Sequence, residues 1–207
     1  MRDCVFLVAD SQIGAMIRGF LGRDNCHLSL GCGPFDFEAE QDLVIDPNRD
    51  PGVYTRGFEV LAPYAATHRR AVVILDAAWD GSPGAELIRS KISKDLHAHW
   101  GEHLVVVLDP EVEAWIWQDN LHVSAALGVA DFAALRSELE RESFWRAGEA
   151  KPFKPKEAVE YTMRQTRTPR SAAVYHRIAS RVSTKACIDP AFRSLSDGLA
   201  VWFGVPA

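Results

Sequence analysis

Three acidic groups each follow directly on a run of apolar residues: Asp10 after Cys4–Ala9, Asp76 with Asp80 after Ala71–Leu75, and Asp109, Glu111 and Glu113 after Leu104–Leu108. Carboxylates are hard oxygen ligands, a donor set that suits magnesium or manganese better than zinc. An ion held by several of them polarises a phosphoryl oxygen and activates water for in-line attack, so the pattern predicts metal-assisted phosphoryl transfer. The same residue types also cap helices and complement the helix dipole. Asp109, just before Pro110, is placed for capping, whereas Asp76 closes an otherwise apolar run and is the stronger site candidate. Glu111 and Glu113 lie two apart, about 200° around a regular helix, so both face one site only if Glu111 is still in the turn.

The charge is divided unevenly. Residues 1–150 hold 13 basic and 24 acidic side chains, and residues 151–207 hold 10 and 4, giving −11 and +6. Nine of the basic residues fall between Lys151 and Lys185, including Lys154, Lys156, Arg164, Arg167, Arg170, Arg177 and Arg181. Arginine forks onto phosphates, and Tyr175 and His176 interleave aromatic faces that could stack on bases, so this run is the candidate nucleic-acid-binding surface. Arg177 and Arg181 are one helical turn apart and are expected to share a face. The competing reading is a solvated helix face, or cations paired with carboxylates of the body.

Elements that would position these groups are legible as periodicity. Residues 4–9, 71–75 and 104–108 are continuous apolar runs of the kind buried on both faces of a parallel sheet, and 27–30 reads as a further strand. Ile13, Met16, Ile17, Phe20 and Leu21 recur at helical spacing behind Asp10 and stop at Gly22. Residues 35–52 read as a long ordered loop and 53–67 as a helix. Ser82 and Pro83 are start signals for a helix carrying Leu87, Ile88, Ile92 and Leu96, and Pro110 opens another through Gln118. Helices are expected at 131–142, 155–166, 171–181 and 189–203. Strands alternating with helices predict an α/β fold, a parallel or mostly parallel sheet flanked by helices, joined by right-handed crossovers. Residues 1–150 would form this core, with 151–207 a basic helical C-terminal extension packed on it. Sites in such sheets lie beyond the carboxyl ends of the strands, where neighbouring strands are about 5 Å apart and their loop carboxylates can share one ion.

Other chemistries are poorly supported. No G-x-x-x-x-G-K-[ST] or G-x-G-x-x-G follows a strand, and no serine or cysteine nucleophile has a recognisable context. His97, His99 and His103 fall where a helix should end, a position favourable to histidine without any metal. Cys26-His27 with Cys32 is a weak zinc candidate because His27 falls within the strand expected at 27–30, and Trp79, Trp115 and Trp117 read as packing residues. The four cysteines are irregularly spaced, no apolar stretch nears the roughly 18–20 residues of a membrane span, and Met1–Asp10 runs straight into a strand-like segment. A cytoplasmic protein with neither signal peptide nor membrane association is expected.

Val8-Ala-Asp-Ser-Gln-Ile-Gly14, Ile74-Leu-Asp76 with Asp80, and Pro110-Glu-Val-Glu-Ala-Trp115 resemble, in order, the landmarks of small bacterial Toprim-like proteins related to the overcoming-lysogenisation nucleases. The C-terminal run with Tyr175, Ile178, Ala179, Cys187, Ile188, Pro190, Phe192 and Leu195 is similar to their helical end. More narrowly, the chain resembles small accessory proteins of multi-gene methylation-associated phage defence systems. The resemblance implies a Toprim-type fold, Mg2+ or Mn2+ as cofactor, nucleic acid as substrate and other defence-system proteins as partners. It also implies a glutamate after the first strand as acid/base and a D-x-D pair after a later strand as metal ligands. Here Ala9 stands in the glutamate position with Asp10 next to it, and Asp76-Ala77-Ala78 keeps only the first acid of the pair, with Asp80 the nearest replacement. Glu111-x-Glu113-Ala-Trp115 is intact. The implied roles are Asp10, Asp76 and Glu111 in catalysis and Asp76, Asp80, Glu111 and Glu113 on the ion. The two alanines leave open a catalytically degenerate protein that binds nucleic acid or partner proteins as a scaffold or sensor.

Overall fold

The apolar runs become strands of one sheet in a computed structural model that describes residues 1–184 and 187–205. In chain order the elements are β1 (Arg2–Val8), α1 (Ser11–Leu21), α2 (Cys26–Leu30), α3 (Ala39–Asp42), β2 (Leu43–Ile45), α4 (Arg49–Leu61), a 3-10 helix (Ala62–Ala66), β3 (His68–Asp76), α5 (Ala85–His97) and β4 (Glu102–Leu108). There follow α6 (Glu113–Ile116), α7 (Leu121–Leu127), α8 (Phe132–Arg141), α9 (Pro155–Thr166), α10 (Ala172–Ala179) and α11 (Pro190–Phe203). The four strands are all parallel in the order β2-β1-β3-β4, with Phe6 opposite both Leu43 and Val72 and Val73 opposite Val105. The protein is therefore α/β, a parallel sheet flanked by helices with a helical C-terminal part.

Successive residues of a strand point to opposite faces, which locates the helices. A Cβ on Gly14 of α1 would lie 3.5 Å from Val8, and one on Gly57 of α4 would lie 3.3 Å from Leu7. Val8 and Leu7 are neighbours on β1, so α1 and α4 cover opposite faces. Both faces being covered explains why Val5–Val8, Ala71–Leu75 and Val106 are almost completely buried rather than alternating. From β1 the chain steps to β2 on one side, while β3 and β4 lie on the other. The crevice at the carboxyl ends of β1 and β3 is thus the topological switch point, the usual ligand position in open α/β sheets.

Helices of the C-terminal part complete the packing: α10 lies against α1, α11 against β4, and α9 against α6 and α7. Contact between α1 and α10 is close enough that a Cβ on Gly19 would sit 2.7 Å from Ala179 Cβ and 2.8 Å from the His176 carbonyl. Trp115 of α6, Phe20 of α1 and Phe192 of α11 meet edge to face with centroids 5.4–6.0 Å apart, joining both parts of the chain in one core. Among the described residues no helix is long and apolar enough to cross a membrane.

Several elements differ from expectation. Residues 27–30 belong to a helix, α2, whose buried residues Cys26 and Leu30 are four apart; so short an apolar segment does not reveal its period. The expected loop 35–52 contains α3, β2 and the start of α4. Its strand is three residues long and flanked by the buried acids Asp42 and Asp46, which break the apolar signal. The helix expected at 53–67 runs from Arg49 to Leu61 and gives way to the 3-10 helix around Pro63. Ser82 does not cap α5; its hydroxyl donates to the Ala77 carbonyl, and Gly84 takes the N-cap position. The helix expected from Pro110 to Gln118 is the single turn α6, and α7 is an addition. Helix α10 ends at Ala179, so Arg181 lies beyond it and shares no helical face with Arg177.

Candidate active site

Asp76 ends β3, and its surroundings are built by the segment that follows β4. Ala77 and Ala78 donate backbone N–H bonds to the Pro110 carbonyl, and Val112 N–H donates to Asp76 Oδ1 at 2.9 Å. Because the helix begins only at Glu113, Glu111 is still in the turn, the one arrangement that lets two glutamates two apart face the same point. Asp76, Glu111 and Glu113 each offer a carboxylate oxygen, and these atoms lie within 4.8 Å of one another. All three residues are buried.

The group is held in a specific charge environment. Burial, followed by the charges of Asp50, Glu113, Asp10 and Glu111, pushes the Asp76 carboxyl well above the ordinary carboxylate range. Burial also raises Glu111, against the opposing hydrogen bond from Lys156 Nζ to Glu111 Oε2 at 3.0 Å. Glu113 Oε1 accepts the Tyr175 hydroxyl at 2.7 Å and lies 3.5 Å from Arg170 Nη2, and Arg170 also pairs with Glu160. Burial and then the Glu113 charge hold the Tyr175 phenol far above its usual range, so it is a permanent donor to that glutamate. Among the described residues the Asp76 carboxylate, by contrast, accepts only the Val112 backbone donor. Three buried oxygen donors, one of them a carboxylate amid like charges, form the donor set of a hard divalent cation, and such an ion fits here.

A cavity of about 580 Å3 opens at the switch point, lined by Ala9, Asp10, Ser11, Gln12, Ile45, Asp46, Pro47, Arg49, Asp50, Pro51, Asp76, Ala78, Trp79, Lys156 and Arg170. Glu111 and Glu113 are not in its wall; the cations that pair with them are. Asp10 is: it caps α1, and both bonds, from Gln12 N–H at 2.8 Å and Ile13 N–H at 2.9 Å, fall on Oδ1. Asp50 is a site residue that the sequence reading missed, because it fell within the presumed loop. Its Oδ1 accepts the Asp76 N–H at 2.8 Å, and burial raises its pKa. The Asp50-Pro51-Gly52 helix-start signature was the available clue.

Not every candidate converges. Asp80 is exposed on the turn after Trp79, outside both the carboxylate group and the cavity wall, so it is not placed to share an ion with Asp76. Asp109 is exposed, and α6 has Val112 at its N-cap with no side-chain cap bond, so the capping role does not materialise. Of the basic run, Lys156 and the still exposed Arg170 pair with the acids, while Lys154, Arg164, Arg167, Arg177 and Arg181 are exposed and make no such pair among the described residues. Lys185 lies outside the described residues. Tyr175 is fully buried, with its hydroxyl bonded to Glu113, so its ring has no face open to a base. Trp115 and Trp117 are core residues, but Trp79 is half-buried in the cavity wall.

The histidine and cysteine candidates have ordinary explanations. His103 has Nε2 2.7 Å from Ser93 Oγ and Nδ1 3.1 Å from the Trp100 carbonyl, with the His97 ring packed edgewise at 6.3 Å. All four cysteines are free, and burial pushes the Cys4 and Cys32 thiols up to about 12 and about 11, which leaves them protonated and unreactive. No protein-family model, curated protein or solved structure matches this chain.

Proposed function

We propose that this protein is a Toprim-like, Mg2+- or Mn2+-dependent phosphodiesterase acting on nucleic acid in the cytoplasm as a component of a bacterial anti-phage defence system. One observation carries the chemical part of the reading: Asp76, Glu111 and Glu113 meet at the switch point of a parallel sheet, beside a cavity whose wall also holds Lys156 and Arg170. The defence assignment rests on the motif resemblance alone. Asp76, Glu111 and Glu113 would hold the ion, which when bound supplies Lewis-acid polarisation of a phosphoryl oxygen and an activated water. Lys156 and Arg170, released from their glutamates, orient the substrate phosphate by charge-assisted hydrogen bonds. Asp10 keeps Oδ2 clear of its capping bonds and serves as proton acceptor at the cavity wall. Asp50 fixes the Asp76 backbone.

The test is a calorimetric titration of Mg2+ and Mn2+ into the wild type, Asp76→Ala and Glu111→Ala. Saturable binding in the wild type, weakened tenfold or more in both variants, is expected. Equal and negligible affinity in all three removes the enzymatic reading.

A second reading belongs to a different class: a degenerate Toprim-like scaffold or sensor whose defence-system partners do the chemistry. It is favoured by the alanines at 9 and 78 in the cavity wall, and by the two cations that pair with Glu111 and Glu113. It predicts no cleavage of single- or double-stranded DNA or RNA, together with co-purification of products of neighbouring genes.

A further inference from the structure

The cavity beside Asp76 is lined by two kinds of surface. Charged groups make one, and the half-buried indole of Trp79 with Pro51 and Ala78 makes the other. Trp79 packs on Tyr54 at 6.0 Å with the rings tilted by 50° and still contributes to the cavity wall, unlike the fully buried Trp115 and Trp117. An aromatic ring in the wall of a charged cavity offers apolar surface on which a base can stack. At about 580 Å3 the cavity falls in the range, about 300–1,000 Å3, that encloses one small ligand, the size of a single nucleotide unit.

Arg170 belongs to two depressions at once. Besides this cavity it lines a groove of about 460 Å3 with Glu160, Met163, Arg164, Arg167 and Pro169. Its guanidinium ties Glu113 in the site to Glu160 in the groove. Arg164 and Arg167, exposed at the end of α9, make no side-chain hydrogen bond or ion pair with other described residues. The groove therefore adjoins the cavity across Arg170 and carries two guanidinium groups without a partner among the described residues, beside apolar Met163 and Pro169.

We propose that cavity and groove together bind the end of a single strand of nucleic acid, with the terminal base on Trp79, its phosphate toward Lys156 and Arg170, and the next phosphates on Arg167 and Arg164. This rests on reading the cavity as a phosphodiester site and names its substrate class. A duplex keeps its bases stacked inside and cannot lay one on Trp79 without unpairing it.

Fluorescence anisotropy with an oligothymidylate of about ten nucleotides tests the proposal. A circularised strand and a blunt duplex of matching length serve as competitors. The linear strand is expected to bind at least tenfold tighter than either. Trp79→Ala should weaken it about tenfold, within the range of one base–aromatic stack, and Trp79→Phe, which keeps a π face, should restore most of the loss. Arg164→Gln with Arg167→Gln, both exposed, should lower the slope of log affinity against log salt by about 1.4, the single-strand value for two phosphate contacts. Equal affinity for circle or duplex, an unchanged Trp79→Ala, or an unchanged salt slope overturns the proposal. Running the series with EDTA and with Mn2+ separates the two readings. Strand-end binding that depends on Trp79, without any manganese affinity, sinks the metal-dependent phosphodiesterase alone. Manganese affinity without strand discrimination sinks the strand-end proposal alone.

Discussion

Lys156 Nζ lies 3.0 Å from Glu111 Oε2 although 45 residues separate them, so helix α9 supplies the counter-charge to a glutamate positioned by the turn after β4. Lys156 stays partly exposed, with 42% of its side chain accessible against 10% for Glu111. Replacing it by methionine leaves Glu111 without its partner. Screening by solvent limits the cost to about 1 kcal/mol in ion-free buffer, measured by urea denaturation. In Mn2+ the order should change, because the ion no longer competes with an ammonium group, and Lys156→Met should bind it more tightly than the wild type.

Asp76 is buried among like charges with a single backbone donor among the described residues, so its ionised form is unfavourable unless a cation is present. Asp76→Asn preserves the oxygen that accepts Val112 N–H and removes the charge. The variant should be more stable than wild type at neutral pH without metal, because it removes a charge that burial and the neighbouring acids disfavour. It should also lose the stabilisation that Mn2+ confers on wild type. A variant less stable than wild type in EDTA would show that the carboxylate is adequately solvated.

Acid stability depends on a different carboxylate. Asp42 is completely buried and accepts bonds from Arg2, the Glu38 backbone N–H at 2.6 Å and His68 Nε2 at 3.1 Å. Burial works against its charge, but the Arg2 hydrogen bond, followed by Glu38 N–H and His68, outweighs it and lowers the pKa. A carboxyl depressed in the folded state contributes stability that is full above its unfolded value, about 3.9, and is lost as pH falls through the lower folded value. Asp42→Asn should therefore cost about 2–3 kcal/mol at pH 7, less than a fully buried pair because Arg2 is partly exposed, and the difference should shrink below about pH 4. Guanidinium denaturation at pH 7 and pH 3 checks the sign.

Gly19→Ala places a methyl group 2.7 Å from Ala179 Cβ and 2.8 Å from the His176 carbonyl, so α10 must move away from α1. Overpacking of this kind costs about 1–3 kcal/mol. Because α10 also carries Tyr175, whose hydroxyl holds Glu113 at 2.7 Å, the substitution should weaken Mn2+ affinity although residue 19 is outside the site. Unaltered affinity in a destabilised variant would mean that Glu113 does not need this support.

The main features of the fold were legible because burial on both faces of a parallel sheet leaves continuous apolar runs at 4–9, 71–75 and 104–108, a one-dimensional signal. The same logic brought Asp76 and the Glu111–Glu113 turn to one end of adjoining strands, since a parallel sheet aligns its carboxyl ends. Short elements were not legible: β2 has three residues between two buried acids, and α2 has a single helical turn and a half. In neither does a period repeat often enough to be read.

By itself the sequence determined which segments must be buried and which carboxylates must sit at strand ends, because hydrophobic period and chain direction are local properties. Only the tertiary structure decided that Lys156, Arg170 and Tyr175 face those carboxylates, that Asp50 supports Asp76, and that Asp80 stays outside. Those choices depend on how α9 and α10 pack across the sheet. Contacts between residues 26 to 62 positions apart leave no periodic trace in the chain that makes them.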